Sequence, residues 1–244
     1  MSSPSVNPPR RETELADAEF KRISKVLYDD AGIHMSDQKK ALVYSRLSKR
    51  LLELRCPTFK SYCDLLESDH AGDERALLLT WLTTNVTRFF RENHHFEDLK
   101  TNVLPPLVEL ARRGERIRIW SAGCATGEEP YSLGVTLLSV MPAAPAHDVR
   151  ILATDIARSA LATARQGTYP ARALGQDVPA DIRSTYFTDN HDGTVHVGDT
   201  LRSLITFKEM NFVKTWPVKG PFDVIFCRNV VIYFDEATID SVWT

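Results

Sequence analysis

The sequence has 244 residues and a net charge of -2, and 43% of its residues are hydrophobic against 25% charged. This composition excludes collagen-like and wholly disordered proteins, and the near-neutral charge argues against nucleic-acid binding over the whole surface. A chain of this length holds one large α/β domain, alone or with a small partner domain.

The N-terminal end lacks the apolar stretch of a signal peptide, and we predict a flexible tail over residues 1–12. No run approaches the ~18 apolar residues that a membrane span needs, so we expect a cytoplasmic protein without direct membrane insertion. The cysteines form no CxxC pair, and the adjacent His94 and His95 have no third ligand at suitable spacing. We therefore expect neither disulfides nor a metal site.

Helical periodicity predicts an all-α domain over residues 13–82, then a linker and helix over 83–115 that contributes to the active site. Over residues 116–244, short apolar runs alternate with helical stretches, which is typical of a parallel sheet with helices. The predicted strands are Ile117–Ser121, Val149–Thr154, Leu204–Phe207 and Val224–Cys227. Each is short and rich in Ile, Val or Phe, which predicts strands that are buried in the sheet. A polar turn followed by alternating valines predicts a small antiparallel β insert at about residues 168–203.

The loop after the first predicted strand belongs to the sequence RIWSAGCATGEEPYS, residues 118–132. Gly123 and Gly127 would let a ligand approach the backbone at the carboxyl edge of the sheet, although the dinucleotide motif GxGxxG is absent. Glu128 and Glu129 would repel a pyrophosphate and attract a cation or ribose hydroxyls. S-adenosylmethionine therefore fits better than a dinucleotide. For either glutamate alone, the alternative is simple stabilisation of a helix N-terminus.

Further candidate site residues follow the second and fourth predicted strands or lie in the segment that joins the two halves. Asp155 ends the second strand, where an acid either binds ribose hydroxyls or caps the next helix. Arg91 lies in the segment that joins the two halves, and it either binds a carboxylate or is simply solvated. Arg228 and Asn229 follow the fourth strand, beside the expected ligand crevice. Tyr233 either faces a cation there or belongs to the core.

Four separate motifs, in this order along the chain, resemble the chemotaxis receptor methyltransferase family, CheR. They are TTNVTRFFRE (83–92), ATGEEPYS (125–132), ATDI (153–156) and FDVIFCRNVVIYFD (222–235). The resemblance spans roughly residues 15–240 and implies a Rossmann-like class I S-adenosylmethionine-dependent methyltransferase sheet with an all-α N-terminal domain. It also implies methylation of glutamate side chains of methyl-accepting chemotaxis receptors, which gives glutamyl methyl esters and S-adenosylhomocysteine.

The resemblance further implies roles for individual residues. Cofactor contacts are implied for Asn85, Thr87, Arg91, Glu128, Asp155, Asn211, Phe212, Arg228 and Asn229. Family members place Arg91 and Tyr233 near the reacting centre, so these are the predicted catalytic residues. One alternative is a module of the same fold that binds the cofactor without catalysis, which retention of Arg91, Asp155 and Tyr233 disfavours. Another is an enzyme acting on nucleic acid or a small molecule, which the absence of a D/N-P-P-Y/F motif disfavours.

Receptor docking is predicted at a basic stripe in the helical half. Lys39, Arg46 and Arg50 would share one helix face and could bind an acidic receptor helix, although such runs are more often solvated faces. In the family, some members grip a receptor tail peptide with a longer loop in the β insert. The loop 188–194 is short, so we expect a member of the family that does not need such a tether. We expect a monomer whose partner is the cytoplasmic helical domain of chemoreceptors, with no nucleic-acid partner.

The number of predicted strands can be compared with the sheet that this family implies. The sequence shows four parallel strands, whereas a methyltransferase sheet of this class normally has seven. We therefore expect a C-terminally truncated sequence with an open sheet edge beside the fourth strand.

Overall fold

A computed structural model of the chain describes residues 14–68, 71–83, 86–175 and 178–243. The predicted flexible tail over residues 1–12 lies outside this described part. The chain divides into two compact units, Met1–Leu82 and Thr83–Thr244.

The first unit is helical, as its periodicity predicts. Its helices are α1 (Asp17–Ala31), α2 (Lys40–Glu53), α3 (Phe59–Leu66) and α4 (Gly72–Leu82). Local signals set their ends: α1 stops at Gly32, which adopts a left-handed conformation (φ 67°). Helix α3 begins with a reciprocal capping box between Thr58 and Ser61. Buried residues such as Phe20, Leu47 and Tyr62 form the core of this unit.

The second unit alternates helices and strands. In chain order its elements are α5 (His94–Asp98), a π-helical turn (Leu99–Val103), α6 (Leu104–Arg112), β1 (Ile117–Ala122), α7 (Glu128–Val140), β2 (Val149–Asp155), α8 (Arg158–Gln166), β3 (Thr168–Pro170), α9 (Ala180–Tyr186), β4 (Phe187–Asp189), β5 (Thr194–Val197), α10 (Asp199–Ser203), β6 (Ile205–Glu209), β7 (Val224–Phe226) and α11 (Glu236–Trp243).

Four of these strands form one sheet in the order β6-β2-β1-β7. All its pairings are parallel, with Ile119 opposite both Ile151 and Val224. Successive side chains of β1 point to opposite faces: Ile119 enters the large core with residues of α6 and α7, whereas Trp120 lies in a smaller aromatic cluster. The predicted α/β class with a parallel sheet is confirmed.

The predicted antiparallel insert is also confirmed. Strands β3, β5 and β4 form a separate three-stranded sheet in that order, with antiparallel pairings. Its buried side chains, such as Tyr169, Val195 and Val197, join the large core of the second unit. The insert is therefore packed into the second unit rather than projecting as an independent hairpin.

The fourth strand of the parallel sheet differs from its prediction as a buried strand. Strand β7 is short and lies at the edge of the sheet. Ile225 is 46% exposed, and Val224 and Phe226 are half-buried. The prediction of burial was wrong because β7 pairs only with β1 in the described structure, so one of its sides has no covering strand.

Among the described residues, no helix combines the length and the apolar character that a membrane span requires.

Candidate active site

The loop between β1 and α7 is folded back onto the end of β2. Gly123 and Cys124 both donate their backbone N–H groups to the Thr154 carbonyl, at 2.8 Å each. Gly127, with φ 100°, precedes the first turn of α7. A Cβ atom added at Gly127 would lie 2.8 Å from both the Ala164 Cβ and the Tyr169 hydroxyl oxygen. This glycine is therefore required by the chain's own packing, whereas the sequence predicted an opening for a ligand.

Asp155 binds the backbone of two neighbouring segments but does not cap α8, and its ribose role stays a prediction. Its Oδ2 accepts the Ala125 N–H at 2.8 Å and its Oδ1 accepts the Ala157 N–H at 2.8 Å, so the carboxylate fixes the loop after β1 and the start of the segment before α8. Burial raises its pKa, and these backbone donors oppose that shift. Each carboxylate oxygen can accept more than one hydrogen bond. Acceptor positions for ribose hydroxyls therefore remain on Asp155.

The two adjacent glutamates of α7 have different partners. Glu128 accepts the Thr126 hydroxyl on Oε2 at 2.7 Å, and burial raises its pKa. Glu129 accepts the Ser121 hydroxyl on Oε1 at 2.8 Å and faces Arg228 at 3.3 Å through Oε2. Burial raises the pKa of Glu129 to about 7, although Ser121 and Arg228 lower it. Two weakly acidic carboxyls thus lie beside the glycine loop.

Arg228 connects three parts of the second unit. One guanidinium nitrogen, Nη1, faces Glu129, and the other, Nη2, donates to Glu92 Oε2 at 2.9 Å and to the Arg91 carbonyl. The guanidinium also lies 5.5 Å from the centre of the Phe96 ring. Its Nε is buried without a hydrogen-bond partner among the described residues. Arg228 therefore links Glu92, Glu129 and the Arg91 carbonyl inside the unit, a role that we call the clamp. Its Nε remains as a donor.

The segment that carries Arg91 is fixed from its buried side. The Phe90 N–H donates to the Ser132 hydroxyl of α7 at 2.9 Å, and Phe90 itself has a positive φ of 51°. Arg91 is turned toward the surface, 36% exposed, and its Nη1 donates to the Val86 carbonyl at 2.7 Å. Arg91 also lowers the pKa of Glu129, which places the two charged groups in the same region. The arginine is thus positioned but retains donors for a further partner.

Two more members of the predicted cofactor set come from this segment. Thr87 is half-buried. Asn85 lies outside the described residues.

The remaining predicted site residues follow β6 and β7. The Asp155 carbonyl accepts the Met210 N–H at 3.0 Å, which brings Asn211 and Phe212 to the end of β2. The Phe212 ring lies 6.1 Å from the Trp120 ring. Asn229 adopts a left-handed conformation (φ 57°), and the half-buried Tyr233 ends a 3-10 turn, Val231–Tyr233. The carboxyl ends of all four parallel strands therefore contribute to one region, as the motifs predict.

The predicted receptor-docking residues belong to the first unit. Arg46 donates to the carbonyl oxygens of Trp81 and Leu82, at 3.2 and 3.1 Å. Arg50 forms a forked ion pair with Glu74, whose shorter contact is 2.6 Å. Lys39 is half-buried at the end of a 3-10 turn. Both arginines of the stripe are thus bound within their own unit, and the docking role stays a prediction.

Several residues that shape the site were not among the predicted ones. Ser121 binds Glu129, Ser132 binds the backbone of Phe90, and the Tyr169 hydroxyl donates to the Thr126 carbonyl at 2.7 Å. Ser121 ends the first predicted strand, which is a signal that sequence alone offers. Nothing in the sequence marks Tyr169, because its partner is 43 residues away.

The groups at this edge suit a cationic nucleoside. Buried carboxylates at Glu128 and Asp155 match hydroxyl and ammonium donors, and the spare Nε of Arg228 matches an acceptor. The residues from Gly123 to Glu129 include two acids and no cation, which disfavours a pyrophosphate. Within the described ranges, no group of three His, Cys, Asp or Glu side chains is arranged to hold a metal ion.

Comparison with known proteins gives matches along nearly the whole chain. Residues 85–244 match the family described as CheR methyltransferase, SAM binding domain, and residues 18–83 match CheR methyltransferase, all-alpha domain. A probable chemotaxis protein methyltransferase of Rhizobium etli is 49% identical over 221 residues, which cover 89% of this chain and 82% of that protein. The chemotaxis protein methyltransferase of Escherichia coli is 42% identical over 233 residues, 93% of this chain and 78% of that protein.

Proposed function

This chain belongs to the CheR methyltransferase family and is an S-adenosylmethionine-dependent methyltransferase; we propose that it methylates glutamate side chains of chemoreceptors, giving methyl esters. The observation that carries the proposal is the match to both family domains, together with relatives named chemotaxis protein methyltransferases. The proposed place of action is the cytoplasm, on the helical domain of the receptor, by a monomeric enzyme.

The proposed chemistry needs positioning more than proton transfer. A substrate glutamate is already ionised at neutral pH, so no general base is required. The cofactor supplies an electrophilic methyl group, and the protein must align a carboxylate oxygen with it and exclude water. We assign the first contact with the carboxylate, of substrate or cofactor, to Arg91, whose guanidinium is partly exposed and only partly engaged. Tyr233 is proposed to contact the same reacting centre.

The proposed cofactor contacts follow the groups that have free hydrogen-bonding capacity. Asp155 would accept ribose hydroxyls on its remaining lone pairs, and Glu128 would face a cationic group. Arg228 would contribute its Nε while its two terminal nitrogens hold the backbone of Arg91 and the carboxylate of Glu129. Asn85, Thr87, Asn211, Phe212 and Asn229 complete the proposed set.

The hairpin loop of the insert supports a receptor that is bound without a tail peptide. Between β4 and β5, the Asn190 N–H donates to the Thr194 carbonyl at 2.8 Å, and Asp192 accepts from both the N–H and the hydroxyl of Thr194. Polar groups of Asn190, Asp192 and Thr194 are thus satisfied within the loop. Titration with receptor tail peptides should therefore produce no tight binding, and tight binding would overturn this part of the proposal.

The experiment that tests the assignment of Arg91 compares Arg91→Ala with Arg113→Ala, an exposed arginine between the end of α6 and the start of β1. We expect Arg91→Ala to lower methyl-ester formation on receptor membranes by about a hundredfold, as loss of a transition-state contact does, while Arg113→Ala stays near wild type. Circular dichroism should show that both variants fold. Near-normal receptor methylation by Arg91→Ala would refute the assignment.

A further inference from the structure

Arg91 lies between two residues whose backbones are strained. Phe90 has a φ of 51° and Glu92 a φ of 56°, in the left-handed region that residues other than glycine rarely adopt. Such conformations persist only where surrounding contacts hold them, and they cluster at functional sites. The contacts that hold these two residues therefore also decide where Arg91 lies.

One of these contacts comes from Ser132 on α7. Ser132 is 0% exposed, and its hydroxyl accepts the Phe90 N–H at 2.9 Å and donates to the Glu128 carbonyl at 2.7 Å. The bond to Glu128 uses the hydroxyl hydrogen, so a lone pair of the oxygen faces the Phe90 N–H. A buried N–H that loses its partner is costly. The serine thus ties the strained residue before Arg91 to the body of α7.

Two further contacts hold the same stretch of chain. The Phe90 ring is buried and meets the Phe96 ring edge to face, at 5.4 Å between centres. On the other side, the Arg91 carbonyl accepts from Arg228. The backbone is therefore fixed both before and after the Arg91 side chain. Without the Ser132 hydroxyl, Phe90 would be free to relax to an ordinary φ, which would turn the following peptide and move the Arg91 guanidinium.

We propose that Ser132 is a positioning residue for methyl transfer: its hydroxyl holds Phe90 in the strained conformation that aims Arg91 at the reacting centre. Ser132 acts from behind the segment and takes no part in the bond changes. The inference rests on the proposed function, because it acts through the role proposed for Arg91. A misplacement of about 1 Å in an active site can cost about a hundredfold in rate, so one buried hydroxyl suffices for a measurable effect.

The test compares Ser132→Ala with Thr136→Val in methylation of a purified chemoreceptor cytoplasmic fragment by the full chain. Thr136 is the matched control, because its buried hydroxyl donates to the Ser132 carbonyl at 2.8 Å, a bond within α7 itself. We expect Ser132→Ala to lower kcat/KM about tenfold, less than loss of Arg91, since the guanidinium is retained but misaligned. Thr136→Val should stay within about twofold of wild type. Circular dichroism at the assay temperature should show that both variants are folded.

A double-mutant cycle separates the positioning of Arg91 from a general structural role. If Ser132 acts through Arg91, adding Ser132→Ala to Arg91→Ala should leave the about hundredfold loss of Arg91→Ala nearly unchanged. A purely structural role would instead multiply the two losses to about a thousandfold. Multiplied losses, or a near-wild-type rate for Ser132→Ala alone, would overturn the proposal.

A measurement without receptor keeps this inference distinguishable from the proposed function. Amide hydrogen exchange of the ligand-free full chain, followed by NMR, reports the bond from Phe90 to Ser132 directly. The Phe90 amide should exchange at least about tenfold faster in Ser132→Ala and at the wild-type rate in Thr136→Val. If it does so while wild type methylates no receptor, the hold of Ser132 on the segment stands and the proposed substrate fails. If Ser132→Ala leaves the exchange of Phe90 unchanged, the positioning role is wrong even where receptor methylation succeeds.

Discussion

Replacement of Arg228 by alanine should destabilise the second unit in the absence of any cofactor. The side chain is 12% exposed and holds Glu92, Glu129 and the Arg91 carbonyl together. Its removal takes one donor each from the Glu92 carboxylate, the Glu129 carboxylate and the Arg91 carbonyl. A loss of stability in the ligand-free protein would therefore support the clamp. If Arg228 only contacted the cofactor, its replacement would leave the stability of the ligand-free protein unchanged.

The expected size follows from the exposure of each partner. Removing one member of a buried ion pair costs about 3–5 kcal/mol. Glu92 is 39% exposed and can rehydrate, and Glu129, with a pKa of about 7, can take up a proton when its partner is lost. Both effects reduce the loss. We expect Arg228→Ala to lower the free energy of unfolding by about 2–3 kcal/mol.

Urea unfolding followed by tryptophan fluorescence measures this change. Arg158→Ala is the matched control: Arg158 also forms an ion pair, with Glu209 at 2.7 Å, but both side chains are largely exposed. An exposed pair contributes roughly 0–1 kcal/mol, so the control should unfold near the wild-type midpoint. Equal losses in the two variants, or no loss in Arg228→Ala, would refute the clamp.

Two further predictions concern the glycine loop and α7. Burial raises the pKa of Glu129 from 4.5 to about 7, so the folded chain binds more protons than the unfolded chain in that window, and stability should fall as pH rises through it. Glu129→Gln should remove up to about 3 kcal/mol of this pH dependence. Thermal unfolding of wild type and variant at about pH 5 and about pH 7.5, near the two ends of the window, measures it. The same difference in stability between the two pH values in both proteins would contradict this prediction. Gly127→Ala should cost about 2–4 kcal/mol, because it adds a clash with Ala164 and Tyr169 to backbone strain. Gly193→Ala, with φ 81° and open space around it, should cost only the strain, about 1 kcal/mol; equal urea midpoints for both would contradict the packing argument.

The architecture could be predicted because local sequence patterns indicate where its strands lie. Short runs rich in Ile and Val predicted all four parallel strands, and the structure has them as β1, β2, β6 and β7. Polar residues after those runs lie at one sheet edge because parallel strands share their carboxyl ends. Asp155 is the clearest case, since its place at the end of β2 allowed both a ligand role and a backbone role, and the structure shows the backbone role.

Contacts between side chains that are far apart along the chain could not be predicted from the sequence. Arg228 meets Glu129 and Glu92 across 99 and 136 residues, so no local pattern marks the clamp. The basic stripe shows the same limit: its spacing predicted three cations on one helix face, but Lys39 ends the 3-10 turn before α2 and Arg50 pairs with Glu74 on α4. The burial of β7 was overestimated for a related reason, because apolar composition reports what a strand prefers and not which neighbours it has.

The most direct test of the proposed function is mass spectrometry of a purified chemoreceptor cytoplasmic fragment after incubation with the full chain and S-adenosylmethionine. The proposal predicts that glutamate-containing peptides gain the mass of one methylene group and lose it again in mild base, as esters do. It also predicts that Arg91→Ala forms the ester about a hundredfold more slowly under the same conditions. A fragment that stays unmodified with wild type, or a gain in mass that survives base, would contradict glutamate ester formation on chemoreceptors.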